Sequence, residues 1–139
     1  HDADYIYKMW NKFKRRNVEL IVASRFTEKS FYGNLGFLRS IISKFAILSI
    51  NFIFGKKTSD PLSGFFLCKK ELILKYRFQF FAQGYKILFD ILYNGQKNIT
   101  VLDQPIAFKK RKYEKSKFNL RIIRLFFYQI LYTKSLVKK

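Results

Sequence analysis

Residues 18–25 read Val-Glu-Leu-Ile-Val-Ala-Ser-Arg, and this run decides the fold class. Val18, Leu20 and Val22 alternate with Glu19, Ile21 and Ala23, and the β-branched content favours a strand over Val18–Ser24. Arg25 stands just past its end, where α/β folds place groups that handle ligands. Upstream, Tyr5–Arg16 carries Ile6, Met9, Trp10 and Phe13 at helical spacing. Downstream come a polar, aromatic loop at Thr27–Leu35, long enough to be a flap, and a helix over Gly36–Phe54. A turn region at Gly55–Ser63 and a short strand at Gly64–Lys69 follow. Helices at Lys70–Phe80 and Gln83–Tyr93 precede a strand over Asn98–Phe108. Gly95 is placed as the residue that ends the second of these helices, and Pro105 marks an edge or a bend. Strands alternating with helices predict an α/β sheet.

Composition narrows the function classes. The 139 residues suit one domain with one core. With 49% hydrophobic and 19% aromatic residues the chain is no disordered basic tail. Its 28 Lys and Arg against 9 Asp and Glu give a formal charge of +19, which attracts nucleic acid, an anionic bilayer or phosphate-bearing substrates. The aromatics lie inside long apolar stretches such as Phe45–Phe54 and Leu125–Tyr132. Nucleic-acid modules instead use a few stacking rings on a polar platform, so a membrane interface fits better and nucleic acid is not expected as a partner. One cysteine (Cys68) and one histidine (His1) exclude an internal disulfide and a Cys/His zinc cluster. Cys68 reads as a packing residue in a reducing, cytosol-facing protein. The opening His-Asp-Ala-Asp, with neither Met nor an apolar leader, implies a partial chain from a longer domain.

The helix at 36–54 has a wide apolar face and a narrow polar stripe of Arg39, Ser40, Ser43, Lys44 and Asn51. Its apolar run is shorter than the roughly 20 residues that a membrane span needs. It reads either as a core helix or as one partly immersed in a bilayer interface, the latter favoured by Arg39 and Lys44 on its polar edge. The segment 108–119 carries six basic residues and one acid, and residues 120–139 form an amphipathic helix with a basic tail. In that helix Arg121, Arg124 and Gln129 make the polar side. Basic residues near an anionic surface gain about 1 kcal/mol each.

Three motifs carry chemistry. Asp2-Ala3-Asp4 is a D-x-D; paired carboxylates at a strand end can hold Mg²⁺ or Mn²⁺, whose remaining oxygens come from a diphosphate. In Asp60-Pro61-Leu62-Ser63-Gly64-Phe65, Pro61 and Gly64 set a rigid turn, either a plain surface turn or one that aims Asp60 into a cleft. Arg111 to Lys117 is a basic loop suited to phosphate, since Arg forks onto two oxygens and Lys supplies a point charge. A solvated charge run or an import-like cluster would look similar.

In this order, with Val22–Phe26, Gly84–Tyr93 and Pro105–Arg111 between and after them, the motifs resemble those of dolichol- or polyprenol-phosphate mannosyltransferases. These are family 2 glycosyltransferases of GT-A fold. The resemblance implies the C-terminal part of a GT-A domain over residues 1–119, with 120–139 as a membrane-interface element on the cytosolic face. It also implies a reaction: transfer of a sugar, mannose in the named family, from a nucleotide-sugar to a polyprenyl or dolichyl phosphate, with inversion. By the same resemblance Asp2 and Asp4 are metal ligands, Arg25 lies near the donor phosphates and Asp60 is catalytic. Arg111, Ser116, Lys117 and Arg39 take the acceptor phosphate. Two departures stand out: Tyr5-Ile6-Tyr7-Lys8 replaces the usual Leu-Gln and Pro pair, and Glu114 stands where Gly is common. A missing N-terminal half or a membrane-anchoring partner is implied as well. The rival readings are a degenerate relative that binds anionic membranes without catalysis, and a basic nucleic-acid-binding domain.

Overall fold

The structure is a computed structural model describing residues 3–25, 37–81, 83, 86–95, 97–106 and 120–137, with the side chains of 37–40, 120 and 137 left aside. The flap at Thr27–Leu35 and the basic segment 108–119 lie outside the described residues. Helix α1 (Ala3–Arg16) leads into strand β1 (Leu20–Ser24), helix α2 (Phe37–Phe54) and strand β2 (Phe66–Cys68). Helix α3 (Lys70–Tyr76), a 3₁₀ turn (Arg77–Gln79), helix α4 (Ile87–Tyr93), strand β3 (Val101–Pro105) and helix α5 (Leu120–Val137) follow. The small mixed sheet has the order β2-β1-β3, with β1 antiparallel to β2 and parallel to β3. Its register pairs Ile21 with Leu67 on one side and with Leu102 on the other. The protein is a mixed α/β fold with flanking helices, consistent with part of an α/β domain.

The alternation in β1 does not separate a wet face from a dry one, because all five of its residues are buried. Leu20 and Val22 enter a cluster with Ile50, Leu72 and the apolar residues of α4, while Ile21 and Ala23 pack with Met9 and Ile106. A central strand covered on both faces reads as continuous hydrophobic sequence, and Leu-Ile-Val-Ala fits that description. Residues 88–93 of α4 are all buried, as expected of a helix enclosed all round. On α1 the inward residues are Met9, Tyr5 and Phe13, spaced by four. Ile6 and Trp10, expected on that face, are exposed, and Trp10 stacks on Phe13 from outside.

The glycines that follow α2 and α4 are favoured for different reasons. Gly55 takes φ +81° and its N–H donates to Asn51 O at 3.0 Å, closing α2 in the left-handed region that favours glycine. Gly95 has no positive φ; a Cβ there would come within 3.0 Å of Ile91 O, so close approach is what favours glycine at that site. Asn94 is the C-cap of α4, donating from its backbone N–H to Asp90 O, so Gly95 holds the C′ position expected of it but without a left-handed φ.

Helix α5 docks on α4 through Phe126, whose ring meets Phe89 edge-on at 5.8 Å, and on the segment before α4 through Tyr132 against Phe81. Gln129, expected on the polar side, is buried between the two helices. Its Nε2 donates to Asp90 Oδ1 at 2.8 Å and to Lys86 O at 3.2 Å. Asn94 Nδ2 donates to the same Asp90 oxygen at 2.8 Å. Phe127, Tyr128 and Leu131 then face outward. On α2, Ile47 and Ile50 are buried, whereas Ile41, Phe45, Leu48 and Phe52 form an exposed stripe, Phe52 being 93% exposed. No helix among the described residues is long and apolar enough to cross a membrane.

Phe89 is fully buried against the rings of Phe54, Tyr93 and Phe126. Phe89→Ala should therefore cost about 3–5 kcal/mol, read by urea denaturation. Tyr93 donates its hydroxyl to Gly55 O, and burial pushes its pKa up to about 12. Its neutral form is the one the fold favours. The associated stability is whole below about pH 10, where an unfolded tyrosine ionises, and is lost as pH rises through the folded value. Absorbance at 295 nm should show this phenol ionising late, and Tyr93→Phe should remove its part of the alkaline loss.

Candidate functional site

The end of β1 and the turn after α2 build a site from residues 35 positions apart. Strand β1 delivers Arg25 at its C-terminal end, held by β2 and β3 and by the added bonds Ala23 N–H to Phe65 O and Ile106 N–H to Ser24 O. The turn is closed by Ser63 N–H donating to Asp60 O at 3.1 Å, with Pro61 buried at its first corner. Ser63 Oγ donates to Ala23 O at 2.8 Å, which fastens the turn to the strand. Gly64 has no positive φ, and a Cβ on it would meet nothing within 4 Å. Pro61 and these hydrogen bonds therefore set the turn, and the glycine is not needed for it.

Arg25 and Asp60 meet as a two-pronged ion pair. Arg25 Nε donates to Asp60 Oδ2 at 2.7 Å, Nη2 to Oδ1 at 3.0 Å, and the Arg25 backbone N–H approaches Oδ2 at 3.4 Å. The Asp60 side chain is 0% exposed and that of Arg25 is 16% exposed, so the carboxylate lies beneath the guanidinium and only the latter reaches solvent. Fork-on-carboxylate geometry fixes the plane of the guanidinium as well as its position.

A second carboxylate lies behind the first. Asp103, in β3, accepts from Ser59 N–H at 2.8 Å and Ser59 Oγ at 2.7 Å through Oδ2, and from Thr58 Oγ1 through Oδ1. Asp60 N–H donates to Thr58 Oγ1 at 3.3 Å, and the hydroxyls of Ser24 and Ser59 lie 2.6 Å apart. Lys57, just before this segment, donates from Nζ to Leu92 O and Lys97 O, tying it to the end of α4; burial pulls its pKa down. The structure brings Arg25 and Asp60, both singled out in the sequence, into contact, and adds Asp103, Thr58, Ser59 and Ser24, which the sequence did not single out. An Asp in the middle of a strand, where that residue is depleted, was the available signal.

Of the other predicted site residues, Asp4 alone has a described side chain. Asp4 lies in the first turn of α1 and is exposed; there its charge favours the helix N-terminus, and it is not at the strand end expected of the D-x-D. Asp2, Arg111, Ser116 and Lys117 lie outside the described residues, as does the side chain of Arg39 on α2. Among the described residues no group of three or more His, Cys, Asp or Glu is placed to hold a metal.

Removing one member of a buried pair leaves the other charge uncompensated. Arg25→Ala should cost about 3–5 kcal/mol in urea denaturation at neutral pH. Arg25→Lys should lose less, because it keeps the charge and forfeits the fork.

No protein-family model matches the chain. A dolichol-phosphate mannosyltransferase of Pyrococcus furiosus is 30% identical over 125 residues, covering 88% of this chain and 34% of that protein. The chain thus spans about a third of the length of this relative. The likeness supports a distant, glycosyltransferase-like relationship.

Proposed function

We propose that this chain is part of a glycosyltransferase that moves a sugar, mannose on the closest reading, from a nucleotide-sugar to a polyprenyl or dolichyl phosphate at the cytosolic membrane face. The observation that carries the proposal is the Arg25–Asp60 fork at the end of β1. It joins two of the motifs by which the sequence resembles polyprenol-phosphate mannosyltransferases of GT-A fold. The relative from Pyrococcus furiosus supports the same reading.

The chemistry asks for little from the protein beyond alignment and charge compensation. A lipid phosphate is already anionic near neutral pH, so its oxygen needs little help from a general base. Two anionic reactants must approach, which favours fixed cations at each. In this proposal Arg25 serves the donor diphosphate, with Asp60 at the catalytic centre beneath it. Arg111, Ser116, Lys117 and Arg39 serve the acceptor phosphate. Mg²⁺ or Mn²⁺ is the proposed cofactor: Asp2 and Asp4 are hard oxygen donors suited to either ion, and the metal would offset the charge of the leaving diphosphate. Residues 120–139 and the exposed stripe of α2 are proposed to rest in the headgroup region. Support comes from exposed Phe45, Leu48 and Phe52 on α2 and Phe127, Tyr128 and Leu131 on α5, beside exposed Arg121, Arg124 and Lys134.

The test incubates the full-length polypeptide containing these 139 residues with radiolabelled nucleotide-sugar, Mn²⁺ and polyprenyl phosphate. Label in the organic-extractable lipid is expected; none with any donor tried overturns the enzyme reading in favour of a membrane-binding relative. Arg111→Ala and Lys117→Ala should each raise the acceptor KM by roughly tenfold, the scale of a charge-assisted hydrogen bond, with the donor KM unchanged. Sedimentation with anionic vesicles is expected. Salt-sensitive binding to DNA or RNA without it would favour the nucleic-acid reading instead.

A further inference from the structure

The hydroxyls around Asp60 have one hydrogen each, and the contacts decide where each one points. An ionised carboxylate only accepts, so Ser59 Oγ must give its hydrogen to Asp103 Oδ2 and Thr58 Oγ1 must give its own to Oδ1. Thr58 Oγ1 is thereby left as an acceptor, the role in which it takes the Asp60 N–H at 3.3 Å. Ser59 Oγ is likewise left as an acceptor, so in the 2.6 Å contact it is Ser24 that donates. One carboxylate in β3 therefore sets the polarity of a chain that reaches both sides of the site, the Asp60 backbone and Ser24, the residue before Arg25.

We infer that Asp103 is a positioning residue: through Thr58 and Ser59 it fixes the residues leading into Asp60, and so holds the Arg25 guanidinium at the angle from which it meets an anionic ligand. Burial supports this direction of action. Asp60 is 0% exposed with both oxygens committed to Arg25, so the guanidinium is the part of the pair that solvent reaches. Thr58 is 3% exposed and belongs to the interior scaffold. Asp103 is far from Asp60 in sequence and is joined to it through a single hydroxyl, Thr58 Oγ1. The functional meaning of the inference rests on the proposed transfer reaction; the positioning itself does not.

The experiment follows the Arg25 Nε–H in the ¹⁵N-labelled full-length polypeptide containing these 139 residues, its resonance assigned by its disappearance in Arg25→Lys. In the unaltered protein it is expected to be shifted by the carboxylate and slow to exchange. Asp103→Asn, which replaces one accepting oxygen with an amide donor, should move the shift toward that of a free arginine and speed exchange roughly tenfold, the scale of one charge-assisted hydrogen bond. Thr58→Val breaks one arm at constant shape and should act in the same direction, and Thr58→Ser should restore the original signal. If Asp103→Asn fails to fold, Thr58→Val decides. Leu72→Ala, in the core cluster on α3, serves as the control for mere loss of stability and should leave the resonance in place. An unchanged Arg25 signal in folded Asp103→Asn or Thr58→Val overturns the inference, as does an equal change in Leu72→Ala. Sugar transfer plays no part in this readout, so its absence would overturn the proposed function and leave the positioning result standing.

Discussion

Taking a carboxylate out of water costs several kcal/mol unless charge and hydrogen bonds offset it, and Asp60 is entirely out of water. The Arg25 fork and its backbone N–H supply that compensation, and they do so only if β1 ends where it does and the turn at 60–63 lies where it does. Much of the surrounding structure serves this one alignment. Ser63 fastens the turn to Ala23, Pro61 is buried at its corner, and Asp103 grips the two residues before it. Arg25 stays partly in solvent while Asp60 is fully buried, so the pair presents its cationic side outward.

The sheet that carries this site is small, and it is stable in its setting because both faces of its middle strand are covered. Leu20 and Val22 join the larger cluster around α4, and Ile21 and Ala23 join the smaller one beneath α1. The strand therefore links two hydrophobic groups that otherwise share few residues. Parallel pairing with β3 puts Asp103 opposite Val22 and Gln104 opposite Ala23. That register brings the Asp103 carboxylate alongside Thr58 and Ser59; a slip by one residue would turn it to the other face.

Much of the fold was legible in sequence where period and composition agreed. The strand read at 18–24 is found at 20–24, the helices read at 5–16, 36–54 and 120–139 are found at 3–16, 37–54 and 120–137, and Arg25 stands just past a strand as local pattern suggested. What sequence pattern misjudged was the direction in which particular side chains face. Gln129 looked polar and is buried, because Asp90 and Lys86 O give its amide partners inside. Ile6 and Trp10 looked like core and are exposed, because the covering sheet meets α1 along Tyr5, Met9 and Phe13. At the site, Arg25 and Asp60 were readable because each sits at a turn or strand end. Asp103 was not, because its partners lie 44 and 45 residues away and only the β1–β3 register brings them together.

The bond from Gln129 to Asp90 has a consequence for α5 as a rotating body. Apolar contacts alone let a helix roll on its neighbour, since many angles bury similar area. A buried amide with two required acceptors does not, because a roll of even a fraction of a turn strands it without either. Gln129 therefore acts as a keyway that sets the rotational phase of α5, and Phe127, Tyr128 and Leu131 keep one bearing relative to the sheet. Any surface those rings meet then meets the Arg25 end of β1 in a fixed relation, so the outer rings and the site share one frame of reference.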